Sequence, residues 1–503
     1  MLLRRRFWSI PATIAVAWIL AASTVVGIVS AIAVANDASD STITLTLLRN
    51  QPVLTQHRRR ALLGKRQTTG SVETAALQNM YGREYSVEMG FGTPPQLFNV
   101  TIDTGSSTLW IASTECPQNL CPGKRYDPDQ SSTYKAKLGN IHLSYAQGFA
   151  RGQAATETVT IGENLAVVDQ TFAKVESTRA VLTNAIDNPS SGILGLGFPA
   201  LAEATGGIYS GEPFVFNLIK NNLIASPVFS VYMNSQYQYG YTGNAEMTFG
   251  GIDESKFTGQ LQYTAVQKYT IPVAGISDEY LYWAVQGAGV SATSSAQGTN
   301  DYTYDISDNF VFDTGSTASY APPDVVRGIV ESLTTTATYN TEDQLYLVDC
   351  NMYNDENAEV TFRLADGINL TVHVRELIIP NETLDPRDAE LCVFGILPME
   401  VSPSGYVSYI LGQTVMRSFY TVHDAGNYRM GFAPAVMSPM SNDSLNKTRP
   451  TPSDDGYWRP LDPSGSVNGN DGFGPYSASS TLGLDHMASL VLVMLVTFNV
   501  VLL

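Results

Sequence analysis

Two short stretches of the chain place a carboxylate directly after an apolar run. In "NVTIDTGSSTLWIAS" Asp103 follows Ile102, and in "NFVFDTGSTASYAP" Asp313 follows Phe310, Val311 and Phe312. A buried, unpaired carboxylate is strongly destabilising, so two copies in the same local setting call for one explanation: each is the partner of the other. Two carboxylates a few ångströms apart do not both ionise readily, and the pair shares one proton over a range of acid pH. Such a pair can hold a water. The ionised member removes its proton as general base, and the protonated member donates to a scissile carbonyl oxygen and stabilises the tetrahedral intermediate. The chemistry needs no metal, cofactor or covalent acyl-enzyme. Thr104 and Thr314 can hydrogen-bond across a two-fold axis, Gly105 and Gly315 permit tight turns and offer N–H donors, and Ser106 and Ser316 can bond the outer carboxylate oxygens.

The elements that must position these turns are written twice as well. An Ile-Leu-Gly triplet, Ile193-Leu194-Gly195, ends 92 positions after Asp103, and a second, Ile410-Leu411-Gly412, ends 99 positions after Asp313. Between about residues 80 and 435 the patterns are short β-branched and aromatic runs bounded by Gly, Pro, Asn or Asp: "YSVEMGFG", "LFNVTID", "IHLSYAQ", "ETVTIG", "AEMTFGG" and "VTFRLA". Helical patterns are confined to the neighbourhoods of 213–223 and 323–334. The expected fold is all-β, with two β lobes related by a pseudo-two-fold axis, a cleft between them, and the two Asp-Thr-Gly turns face to face. "VSATSSAQGTNDYTYD", before the second Asp, reads as a surface loop.

The chain has 503 residues, 44% of them hydrophobic, with 41 Gly and 25 Pro and a net charge of −18. Residues 1–66 carry nine Lys/Arg and two Asp/Glu, so their removal leaves −25, a balance that argues against nucleic acid as a partner. The four cysteines, Cys116, Cys121, Cys350 and Cys392, fit two disulfides in an oxidising compartment. Three pairings are possible, and sequence proximity suggests Cys116–Cys121 and Cys350–Cys392. No CxxC occurs and the five His are not spaced to complete a zinc set, so no metal site is expected.

The ends read as targeting segments. Residues 1–35, with Arg4, Arg5 and Arg6 before a long apolar stretch, read as a signal peptide, an uncleaved anchor being the alternative. Residues 36–66 read as a pro-segment ending at the dibasic pair Lys65-Arg66. The body divides into an N-terminal lobe, 67–258, and a C-terminal lobe, 259–436. A Ser/Pro-rich stalk follows over 437–477, and residues 478–503 read as a GPI-anchor signal with Asn470 or Ser477 as candidate attachment residues. N-glycosylation sequons occur at Asn99, Asn369, Asn381, Asn442 and Asn446.

In order along the chain, "YSVEMGFGTPPQLFNVTIDTGSSTLWIAS", "YDPDQSSTY", "SSGILGLGFP", "PVFSVYM", "FGGIDESKFTGQLQYTAV", "NFVFDTGSTASYAPP" and "ILGQTVMRSFYTVHDAGNYRMGFA" resemble the pepsin-like aspartic proteases over roughly 81–435. The resemblance implies a bilobal β fold whose cleft holds an extended protein or peptide substrate, with Asp103 and Asp313 catalytic. The cysteine pairs suggested above match the family's bridges. The basic pro-segment, dibasic junction and anchored tail are similar to the fungal cell-surface, yapsin-like branch. The resemblance also implies a β-hairpin flap, here "LSYAQGFARG", formed around Tyr145, Ala146, Gln147 and Gly148, with Trp110 receiving the hydrogen bond of the Tyr145 hydroxyl. Gln147 stands where basic-preferring relatives often carry Asp, and Phe149 is expected to add apolar surface beside it, so Phe, Leu or Tyr is expected before the scissile bond. The resulting expectation is a secreted, surface-anchored, monomeric aspartic endopeptidase working at acid pH without a cofactor. The alternative from another class is a catalytically inactive binding or inhibitor protein of the same fold.

Overall fold

The computed structural model describes residues 70–79, 84–145, 148–162, 164–182, 190–204, 211–235, 245–272, 275–296, 298–381, 389–399 and 407–436. The segments read as signal peptide, pro-segment, stalk and anchor signal lie outside the described residues, as do Ala146, Gln147, Asn442 and Asn446. Among the described residues no helix is long and apolar enough to cross a membrane.

Strands dominate because the sequence alternates with period two over most of its apolar runs. In Gln96–Asp103 the residues Phe98, Val100 and Ile102 are buried while Leu97, Asn99 and Thr101 alternate with them on the more open face. Asn309–Phe312 is instead a continuous apolar run, Phe310-Val311-Phe312, buried on both faces. It lies between the antiparallel strand Ala284–Thr293 and the parallel strand Tyr409–Leu411.

The largest sheet among the described residues has 13 strands. From one edge it runs through Gln262–Ala265, Arg429–Pro434, Phe419–Asp424, Val228–Tyr232, Ala245–Phe249 and Glu73–Asn79 to Tyr85–Phe91, Gln96–Asp103 and Gly192–Gly195. It then passes through Leu109–Ala112 and Leu165–Arg179 into the hairpin of Gly148–Ile161 and Lys135–Tyr145. A second sheet of eight strands is centred on Ala284–Thr293, Asn309–Phe312, Tyr409–Leu411 and Ser319–Ala321. The expected division at 258/259 does not separate the sheets: Gln262–Ala265, Phe419–Asp424 and Arg429–Pro434 are strands of the first one.

The two Asp-Thr-Gly turns share a local topology. Gln96–Asp103 pairs in parallel with Gly192–Gly195, Ile102 opposite Leu194 and Asp103 opposite Gly195. Asn309–Phe312 pairs in parallel with Tyr409–Leu411, Val311 opposite Ile410 and Phe312 opposite Leu411. In each half the strand after the turn, Leu109–Ala112 or Ser319–Ala321, returns antiparallel to the Ile-Leu-Gly strand. One continuous core spans both halves and includes Ile102, Leu194, Trp283, Phe312, Leu411 and Met430.

Both helical neighbourhoods hold helices, Phe214–Lys220 and Pro323–Leu333. The second starts with Pro323 at its first turn and buries Val325, Val326, Ile329, Val330 and Leu333, an i, i+3, i+4 stripe. Two short helices, Pro199–Ala204 and Gln413–Met416, have no periodic signature because they are too short to carry one. The expected surface loop before Asp313 is corrected. Ala284–Thr293 continues as strand to Thr293, and Tyr302–Asp305 returns antiparallel to it, with Val290 opposite Tyr304 and Ala292 opposite Tyr302. The alternating Tyr302-Thr303-Tyr304 supplies the β-forming residues that a loop reading passed over.

Disulfides join Cys116 to Cys121 and Cys350 to Cys392. One buried residue stands apart from the rest of the core. His423 is fully buried, its ring stacked on Phe229 at 4.3 Å and edge-on to Trp283 at 4.9 Å, and neither ring nitrogen has a side-chain partner among the described residues. Burial pushes its pKa down to about 3.

Candidate active site

Each turn folds its own carboxylate into the same pair of hydrogen bonds. The Gly105 N–H donates to Asp103 Oδ1 at 2.9 Å and the Ser106 hydroxyl donates to Asp103 Oδ2. The Gly315 N–H donates to Asp313 Oδ1 at 2.9 Å and the Ser316 hydroxyl donates to Asp313 Oδ2 at 2.6 Å. Beneath them the threonines interlock. Thr104 N–H donates to Thr314 Oγ1 at 3.1 Å, and Thr314 N–H to Thr104 Oγ1 at 3.0 Å. The Thr104 hydroxyl donates to the Phe312 carbonyl at 2.7 Å, and the Thr314 hydroxyl to the Ile102 carbonyl at 2.9 Å. Both threonines are fully buried, so these four bonds satisfy groups that would otherwise be orphaned.

The turn glycines are required by the opposite carboxylate. A Cβ on Gly105 would sit 2.6 Å from Asp313 Cγ, and one on Gly315 would sit 2.5 Å from Asp103 Oδ1. Each glycine therefore makes room for the other half's acid, and this close approach brings the two carboxylates together.

The electrostatics are less symmetric than the hydrogen bonds. Asp103 is 6% exposed, whereas Asp313 is half-buried and Gly315 beside it is exposed. Burial first, and then the charge of Asp313, holds the Asp103 carboxyl well above the usual carboxylate range. Tyr282, in the bend before the strand Ala284–Thr293, was not singled out from the sequence. Burial, then the charges of Asp313 and Asp103, push its phenol up to about 12, so it stays neutral in the field of both acids.

The remaining predicted residues are placed as follows. Tyr145 ends the strand Lys135–Tyr145 and Gly148 opens the return strand, with Tyr145 opposite Gly148 and Ser144 opposite Phe149. Trp110 and Tyr145 are joined at 2.7 Å, but the indole N–H donates to the phenol oxygen, the reverse of the expected direction, because indole nitrogen carries a hydrogen and accepts nothing. Burial and the charge of Asp103 raise the Tyr145 pKa. Phe149 was expected beside Gln147, which lies outside the described residues. Alternation puts Phe149 on the hairpin face opposite Tyr145, with the Arg151 guanidinium 4.4 Å over its ring and His142 edge-on at 5.8 Å. Of the described sequons, Asn369 is exposed, while Asn99 and Asn381 are half-buried.

Comparison with known proteins gives this arrangement a family. The pattern of the family Eukaryotic aspartyl protease matches residues 84–435. The chain belongs to that family. It is 32% identical to cathepsin E of Mus musculus over 361 residues, spanning 72% of this chain and 82% of the relative. It is 31% identical to mucorpepsin of Rhizomucor pusillus over 391 residues, 74% of this chain and 84% of the relative. It is 30% identical to gastricsin of Homo sapiens over 356 residues, 70% and 81%. The family makes the protein an aspartic endopeptidase acting on proteins or peptides, with the all-β, bilobal pepsin-like fold.

Proposed function

We propose that the protein hydrolyses peptide bonds at acid pH with Asp103 and Asp313 as its catalytic dyad. The observation that carries the reading is the mirrored set of bonds around the two carboxylates, each packed over the other half's glycine. Asp103, held protonated by burial and by its neighbour, donates to the scissile carbonyl oxygen. Asp313, at the more open end of the pair, takes the proton of the attacking water. The tetrahedral intermediate then collapses as the leaving amine is protonated from the pair. Thr104 and Thr314 hold the geometry, and Tyr145, tied to Trp110, closes over the substrate.

The same proposal covers what surrounds the catalytic unit: secretion, removal of residues 36–66 at Lys65-Arg66, and attachment to the cell surface through a GPI anchor signalled by residues 478–503. It also places the chain in the yapsin-like branch. Acid-dependent, pepstatin-sensitive cleavage of a denatured protein, lost on Asp103→Asn, tests the chemistry. Release from membranes by phosphatidylinositol-specific phospholipase C tests the anchor. A released chain that still contains residues 487–503 would instead make the tail a spanning segment.

A further inference from the structure

The mirrored turns are supported by unlike residues. After Ile-Leu-Gly the first half continues with Leu196 and Gly197, neither of which carries a side-chain donor, and the Gly197 N–H bonds the Ser106 carbonyl. The second half continues with Gln413, whose N–H bonds the Ser316 carbonyl at 2.8 Å. Gln413 also has a side-chain amide. Its Nε2 donates at 2.8 Å to the carbonyl of Thr314, the residue after Asp313. The side chain is 1% exposed, and Oε1 has no hydrogen-bond partner among the described residues. Turning the amide over would set its oxygen against the Thr314 carbonyl, so the orphan cannot be relieved by a flip. A buried orphan acceptor is costly, and an apolar side chain of the same length would avoid it. Nor is the amide needed to hold the turn, since Asp313 N–H to Leu411 O at 3.0 Å and Gln413 N–H to Ser316 O already do so.

What the amide does reach is Asp313, through one peptide group. The carbonyl it bonds belongs to the peptide whose N–H, on Gly315, donates to Asp313 Oδ1. A donor on a peptide oxygen polarises that peptide and strengthens its N–H as a donor. We propose that Gln413 is a positioning residue that settles the dyad's charge on Asp313 and its shared proton on Asp103. This rests on the catalytic roles given above to the two acids. The deeper burial of Asp103 acts in the same direction.

The other titratable groups around this path are accounted for. Asp313 faces Asp103 and Tyr282. The elements packed on Gln413–Met416 carry Tyr320, Arg375, Glu376, Tyr409, Tyr420, His423 and Asp424. Glu376 is paired with Arg417 at 3.1 Å, and Asp424 with Arg429 at 2.8 Å. The His423 ring is neutral above pH of about 3.

The test is the pH profile of kcat/KM for the mature wild-type chain, Gln413→Met and Gln413→Glu on one peptide substrate. Met keeps the shape and removes both the donor and the orphan. The acid limb, where the ionised carboxylate takes up a proton, is expected to move up by about half a pH unit, with the alkaline limb within about 0.2 unit. Thermal unfolding should be unchanged or later. Gln413→Glu, protonated in acid, donates as the amide does and should keep the wild-type acid limb while losing activity early on the alkaline side. An acid limb unmoved in Gln413→Met, or two limbs shifted together, overturns the proposal. Should Gln413→Met not fold, a Gln413→Glu profile that matches wild type throughout overturns it instead. A wild-type chain that cleaves nothing at any pH overturns the function and this proposal together.

Discussion

The two Asp-Thr-Gly turns have nearly superimposable bonding and unlike surroundings. Around Asp103 and Asp313 the glycine N–H, serine hydroxyl and threonine interlock repeat within about 0.2 Å wherever their distances can be compared. Yet Asp103 is buried and Asp313 is half-open, Leu196 follows one Ile-Leu-Gly and Gln413 the other, and Tyr145 of the hairpin feels the charge of Asp103. The difference separates two requirements. Symmetry holds the acids at one distance from each other, and asymmetry decides which of them keeps the proton.

The severest way to break the comparison is to remove one acid. Asp103→Asn and Asp313→Asn should each lower kcat by at least about a thousandfold with unfolding temperature nearly unchanged, since each removes one of two indispensable roles. Activity within tenfold of wild type in either variant would show that the acids do not act as a pair. Next in size is the mutual packing. Gly105→Ala and Gly315→Ala each drive a methyl into the opposite carboxylate, and about a hundredfold loss in kcat/KM is expected from the displaced acid. Because Gly315 is exposed and Gly105 is not, Gly105→Ala should also show the larger fall in unfolding temperature; equal falls would mean that burial does not distinguish the turns.

Smaller effects sharpen the symmetric part. Thr104→Val and Thr314→Val each delete a hydroxyl that both donates and accepts in a buried site, and each should cost about 1–3 kcal/mol in chemical denaturation. Values differing by more than that range would deny the mirror. Acid then separates the dyad, which uses a proton, from His423, which refuses one. The folded imidazole titrates near 3 and the unfolded one near 6.5, so the unfolded state binds the extra proton between those values and stability falls as pH drops through that window. His423→Phe should gain on wild type by about 1–2 kcal/mol between pH 7 and pH 5. A gap independent of pH would place the proton elsewhere.

The acids were legible in the sequence because a charged residue after an apolar run is rare, and a second copy at matched spacing rarer still. The strands were legible where one face is buried, as in Phe98, Val100 and Ile102, because burial imposes the period. What stayed hidden depends on distant neighbours. Tyr282 acquires its place only when the bend before Ala284–Thr293 comes within the field of both acids, and Gln413 only when a carbonyl 99 positions away comes within reach. Phe149 takes its face from the register of its hairpin, Ser144 opposite Phe149, which its own stretch of sequence does not fix. The hairpin return at Tyr302–Asp305 was missed for a related reason: Gly and Ser before it spoke louder than its tyrosines.

The first sheet draws strands from both ends of the folded body, and this has a consequence for how the chain is made. Val228–Tyr232 pairs on one side with Ala245–Phe249, a short distance along the chain, and on the other with Phe419–Asp424. During synthesis the second partner leaves the ribosome about 190 residues after the first strand does, ~10–40 s later at ordinary elongation rates. Throughout that interval a strand of alternating Phe229 and Val231 presents an open edge, the kind that captures another chain. The nascent protein therefore has to be kept apart from its copies until its final strands arrive, and a message that ends before residue 419 yields an adhesive fragment in place of a smaller enzyme.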